Sequence, residues 1–68
     1  MQRKVLTERE REIFILLTEN YTTKEIAKML NISEKTVRNH ISNTMQKLGV
    51  KGRAGAVVEL IKLNEISL

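Results

Sequence analysis

The sequence predicts an all-α domain of four helices with a helix-turn-helix at its centre. Three observations carry this expectation. Proline is absent from the 68 residues, and the three glycines, Gly49, Gly52 and Gly55, fall in one stretch, so helix breakers are concentrated in a single connector. Capping residues recur at Thr7, at Thr22 or Thr23, and at Ser33, each ahead of apolar residues at helical spacing. The apolar fraction is 41%, but the only aromatics are Phe14 and Tyr21, so the core must be aliphatic.

The first helix starts at Thr7. Glu10 lies three residues on and completes a capping box, with Leu6 as a hydrophobic staple. Ile13, Leu16 and Leu17 share one face, with Phe14 at its margin. Glu8, Arg11, Glu12 and Glu19 take the opposite face, and the helix ends near Asn20. Glu10 points to the edge of the core, either as a cap alone or as an ion-pair partner of Arg53, and the sequence does not rank these.

The second helix is short. Thr22 or Thr23 caps it, Glu25 sits in its first turn, and Ile26, Ala27 and Leu30 face inward. Asn31 tolerates the left-handed conformation that ends helices, and Ile32 plugs the core from the turn. The third helix is capped by Ser33, with Glu34 near the positive helix end. Val37, Ile41, Met45 and Leu48 form its inward stripe, and Gly49 stops it. Residues 50–53 connect to a fourth helix over 54–63, and residues 64–68 form a tail.

The junction at Met29-Leu30-Asn31-Ile32-Ser33 joins two capped helices by a very short turn. That is the construction of a DNA-binding helix-turn-helix. On the third helix, Lys35, Asn39, Ser42 and Gln46 lie opposite the apolar stripe, flanked by Arg38 and Asn43. None is acidic, and Glu34 at the cap is the one acid of this helix. Such a face can read duplex DNA: Asn and Gln bridge adenine, Arg bridges guanine, and Ser suits either. Thr23 and Lys24 open the second helix, where free N–H groups and positive charge suit a phosphate. Thr36 can hydrogen-bond a phosphate from the third helix. The competing reading is an ordinary solvated helix face.

Composition narrows the alternatives. Net charge is +4 and the isoelectric point is near 9.8, in the range of nucleic-acid-binding domains. There is no cysteine and only one histidine, His40, so neither a thiolate metal site nor a paired-histidine site is expected. His40 is expected to pack or to hydrogen-bond the backbone. A chain this short buries only about 60% of its unfolded surface, leaving little room for an active-site cavity. No catalytic residue, metal ligand or cofactor is expected, and the chain is read as a non-enzyme. The longest apolar run, Ile13 to Leu17, is too short to span a bilayer. No membrane partner is expected, and the absence of cysteine fits the expected cytoplasmic location.

These residues resemble the LuxR/FixJ/GerE family of helix-turn-helix domains from Leu6 to about Leu63. The matching runs are Leu6-Thr7-Glu8-Arg9-Glu10-Arg11-Glu12-Ile13, Thr23-Lys24-Glu25-Ile26-Ala27 and Leu30-Asn31-Ile32-Ser33-Glu34-Lys35-Thr36-Val37. His40, Lys47-Leu48-Gly49-Val50, Arg53, Ala56 and Val57 complete the set. Between Thr22 and Arg53 the likeness is greatest to the family's small sporulation regulators. The resemblance implies a single DNA-binding domain over residues 1–68, with the third helix in the major groove and the fourth mediating homodimers. It also implies a bacterial transcription regulator acting at pseudo-palindromic promoter sites, in contact with RNA polymerase and associated with the nucleoid when bound. Many members carry a basic residue where this chain has Ser42, so Ser42 ranks below Lys35, Arg38 and Asn39. Met1 and the short leader point toward a freestanding protein. The alternatives are the output domain of a two-component response regulator and an adaptor that binds protein rather than DNA.

The fourth helix carries an apolar arc about 220° wide, twice what one buried face needs. Ala56, Val57, Leu60 and Leu63 are assigned to the core. Ala54, Val58 and Ile61 are left for a second copy of the chain. The competing reading is that Ile66 and Leu68 in the tail fold back over this patch.

Overall fold

The computed structural model describes residues 5–67, so the part of the tail at Leu68 lies outside the described residues. Four helices follow in order: α1 (Glu8–Thr18), α2 (Thr23–Leu30), α3 (Glu34–Leu48) and α4 (Arg53–Lys62). Among the described residues there is no strand. Helix α3 packs against each of the other three, and α1 also packs on α2.

The caps follow the sequence signals. Thr7 and Thr22 each head a full capping box: the cap hydroxyl accepts from the N–H of the third helical residue, Glu10 or Glu25, whose carboxylate accepts the cap's own N–H. Thr22, not Thr23, is therefore the cap of α2. Ser33 caps α3 through the Thr36 N–H at 3.0 Å. All four helices end on one device. Asn20, Asn31, Gly49 and Asn64 take left-handed backbone conformations. The next residue's N–H then turns back to a carbonyl of the last helical turn: Tyr21 to Leu16, Ile32 to Ala27, Val50 to Met45 and Glu65 to Leu60. Asparagine and glycine are the residues that tolerate this conformation. Helix α4 begins at Arg53, one residue before the expected start, and Gly52 gives it no side-chain cap.

The core is aliphatic apart from one ring. Leu6, Ile13, Phe14, Ile26, Ala27, Val37, Ile41, Ala56, Leu60 and Ile66 are buried together. Phe14 is completely buried and not marginal as the spacing suggested. Its helix is covered on a second side by the tail: Ile66 is buried, and Glu65 accepts the Leu6 N–H at 3.0 Å. Glu65 also pairs with Arg11 at 3.6 Å, so Arg11 is a partly buried contact and not part of a free outer face. Thr44 is fully buried in the stripe of α3, and its hydroxyl donates to the His40 carbonyl at 2.9 Å. Met45 and Leu48 are only half-buried. Leu63, assigned to the core by spacing, is 48% exposed, and it lies just past the end of α4 at Lys62.

Glu10 links the first helix to the third. Its carboxylate is 4% exposed and receives the Lys47 ammonium at 2.6 Å. Thus Glu10 caps and also pairs, but its partner is Lys47 rather than Arg53. Burial alone would raise its pKa. The hydrogen bonds from Lys47 and from the Thr7 N–H, helped by the Lys47 charge, outweigh burial and hold the carboxyl below its ordinary value of 4.5. A group whose pKa is depressed by folding stabilises the fold above its unfolded pKa, and that stability is lost as pH falls through the lower folded value.

Lys47→Met should therefore destabilise the domain at neutral pH by about 1–2 kcal/mol, since it strands a buried carboxylate whose partner is partly screened by solvent. It should also flatten the loss of stability below pH 4.5. Urea unfolding of both proteins across the acid range checks this. Parallel acid limbs would remove the Glu10–Lys47 pair as the cause.

Candidate nucleic-acid interface

The residues expected to meet DNA lie on two helix segments. Lys35, Arg38, Asn39, Ser42, Asn43 and Gln46 are all exposed along α3. The helix can offer this side because Val37, Ile41 and Thr44 hold the other against the core. Its fifteen residues extend about 22 Å. Lys24 is exposed in the first turn of α2, while Thr23 is half-buried beside it.

Two expected contacts are already engaged within the chain. The Thr36 hydroxyl lies 2.8 Å from the Ser33 hydroxyl and so belongs to the cap of α3. The Thr23 hydroxyl donates to Glu34 Oε2 at 3.0 Å, and the same oxygen accepts from Arg38 Nη2 at 2.6 Å. The outer face of α3 is therefore not free of acid at its start. Glu34 leaves the cap and reaches along the helix to Arg38, a link between α2 and α3 that the residue pattern did not show. Helical geometry offered the signal, because residues four apart stack on one side.

Arg53 was also missed on this face of the molecule. As the first residue of α4 it is exposed, and it lines a groove with Thr22 and Thr23 at the start of α2. A second cation thus stands near the helix N-terminus expected to take a phosphate. His40 is half-buried, and its backbone carbonyl serves as the acceptor for Thr44. Among the described residues no group of three or more His, Cys, Asp or Glu could hold a metal ion. No helix there is long and apolar enough to cross a membrane.

Two short helices joined by a left-handed Asn31, the second presenting a row of exposed donors, define a helix-turn-helix DNA-binding transcription regulator. A family model described as bacterial regulatory proteins, luxR family, matches residues 4–60. The chain belongs to this luxR family. It is 69% identical to the spore germination protein GerE of Bacillus subtilis (strain 168), over 94% of this chain and 86% of that protein. It is 52% identical to the transcriptional regulatory protein DegU of Brevibacillus brevis, over 85% of this chain but 25% of that one. Its fold superposes on a solved structure of the transcription factor GerE with a TM-score of 0.93 at 65% identity, covering 96% and 97% of the two chains. The response regulator ChrA gives 0.85 at 33% identity, over 97% of this chain and 33% of that one.

If this face reads bases, Arg38→Ala and Asn39→Ala should each lose discrimination between a selected duplex and a mismatched one. A lost bidentate contact is worth about 1–3 kcal/mol. Both side chains are exposed, so thermal stability should be almost unchanged. Titrations of the two duplexes provide the measurement, and full site preference in both variants would take these residues out of base reading.

Proposed function

We propose that the chain binds as a homodimer to pseudo-palindromic promoter sites, with α3 of each copy in the major groove. The carrying observation is the row of exposed, hydrogen-bonding side chains from Lys35 to Gln46 on the side of α3 that faces away from the core. Lys35, Arg38 and Asn39 are the base readers in this proposal, with Ser42, Asn43 and Gln46 beside them. Lys24 and Arg53 hold the phosphates, so they fix register without reading sequence, while the hydroxyls of Thr23 and Thr36 stay in their bonds within the fold. The high identity with a spore germination protein supports a role in regulating sporulation genes. Contact with RNA polymerase at the promoter and a cytoplasmic location belong to the same proposal. No catalysis is assigned to the chain.

The dimer rests on α4. Ala54 is exposed and Val58 is 51% exposed, although the tail has folded back. Ile66 fills the core instead of covering this patch, so the apolar surface at Val58 remains open. Ile61 contributes less than the spacing suggested, because it is half-buried and packs on the core. A two-fold interface at Ala54 and Val58 would present the same patch from both copies and set two α3 helices one DNA turn apart or a multiple of it. The patch is small, which makes a weak dimer that completes on DNA.

Two measurements test these assignments. Lys24→Gln should weaken binding about equally on all duplexes and lower the salt slope by about one unit. A slope equal to that of the unaltered protein would remove Lys24 from the phosphate contacts. Val58→Asp should leave the monomer folded but abolish cooperative loading of two copies on an inverted repeat, read by sedimentation with and without the duplex. Unaltered cooperativity would move the interface away from α4.

A further inference from the structure

Glu34 is out of place for a residue that only supports stability. It is the first residue of α3, and a carboxylate there gains from the helix dipole. Its Oε2, however, is committed to the Thr23 hydroxyl at 3.0 Å and the Arg38 guanidinium at 2.6 Å. The side chains of Arg38 and Glu34 are 64% and 36% exposed, and exposed ion pairs contribute little to stability. The same carboxylate accepts from the residue before Lys24, so on a duplex it would repel the phosphates that Lys24 is assigned to hold. An acid on an otherwise acid-free DNA face weakens every complex unless its effect differs between sites.

We propose that Glu34 is a specificity-determining residue that positions Arg38 for base reading. This rests on the assignment of Arg38 as a base reader. Arginine has five N–H donors in a rigid fork, and Glu34 occupies one of them on Nη2. The other Nη2 hydrogen and one on Nη1 remain free to bridge O6 and N7 of a guanine. Thr23, anchored at the start of α2, keeps Glu34 from swinging away, so the helix-turn-helix itself aims the guanidinium. Where guanine is present, the held arginine is already oriented. Where it is absent, the phosphates meet the carboxylate with no compensating base contact. Glu34 lowers affinity for all DNA but lowers it least at the selected site.

Glu34→Gln removes the charge, and Glu34→Asp keeps the charge but withdraws it from Arg38. Each is titrated against a duplex selected by the protein from a random pool and against a scrambled duplex of equal length, with thermal unfolding as a check on folding. Glu34→Gln should bind the scrambled duplex more tightly and lower the ratio of selected to scrambled affinity about two- to fivefold, the range an exposed ion pair supplies. Glu34→Asp should lower the ratio similarly without tightening binding to the scrambled duplex. In an Arg38→Ala background, Glu34→Gln should change both affinities by one common factor. An unchanged ratio in both single variants, or an equal fall of the ratio with and without Arg38, overturns the proposal. If Arg38→Ala alone leaves the ratio unchanged, base reading by Arg38 fails and this proposal fails with it. If Arg38→Ala lowers the ratio and the Glu34 variants do not, only the role of Glu34 falls.

Discussion

Helix α3 works under a double demand that shapes the rest of the chain. One side must bind three other helices into a core, and the other must stay bare for a ligand outside the molecule. Val37, Ile41 and Thr44 meet the first demand, and the row from Lys35 to Gln46 meets the second. A helix this polar, standing alone, would be marginal in water. Its stability comes from packing and from fixed ends. Ser33 and Glu34 set where it begins, Gly49 sets where it stops, and Lys47 ties its last turn to the buried Glu10 of α1. The small size of the domain makes such ties matter, since so short a chain retains only a few kcal/mol of net stability.

Charge is distributed according to these two tasks. Three acids of the described chain are occupied within the fold. Glu10 is buried against Lys47, Glu25 closes the cap of α2, and Glu65 binds Leu6 and Arg11. The cations Lys24, Lys35 and Arg53 stay exposed at the starts of α2, α3 and α4. These three cations stand where helix N-termini already favour an anion.

The local signals of this fold were plain in the sequence, and the longer-range ones were not. Thr7, Thr22, Ser33, Asn31 and Gly49 announce helix boundaries because caps and left-handed stops depend on a few neighbouring residues. Thr44 is not legible as core from its residue type, because a hydroxyl suits the surface, yet inside a helix it can donate to the carbonyl four residues back. Phe14 looked marginal because spacing along one helix cannot reveal that a tail from the far end of the chain covers a second side of it. The partner of Glu10 needed the fold as well, since both Arg53 and Lys47 lie far from it in sequence and only packing selects between them. At the candidate interface the exposed row on α3 was legible from periodicity. The prior engagement of Thr23, Thr36 and Arg38 was not, because it depends on how α2 and α3 lean together and on which rotamers their caps select.

The contact between Leu6 and Glu65 brings the two ends of the described chain to one corner of the molecule. After 59 positions the chain returns to within a hydrogen bond of Leu6. A domain appended at either end would depart from that corner, so this fold can serve as a portable module joined to quite different neighbours. Relatives in which the matching segment is only a quarter to a third of the protein show that such joining occurs. The hydrogen bond from Leu6 to Glu65 and the pair of Glu65 with Arg11 fasten that corner. Whatever is attached on either side, the module keeps its first and last segments joined to each other.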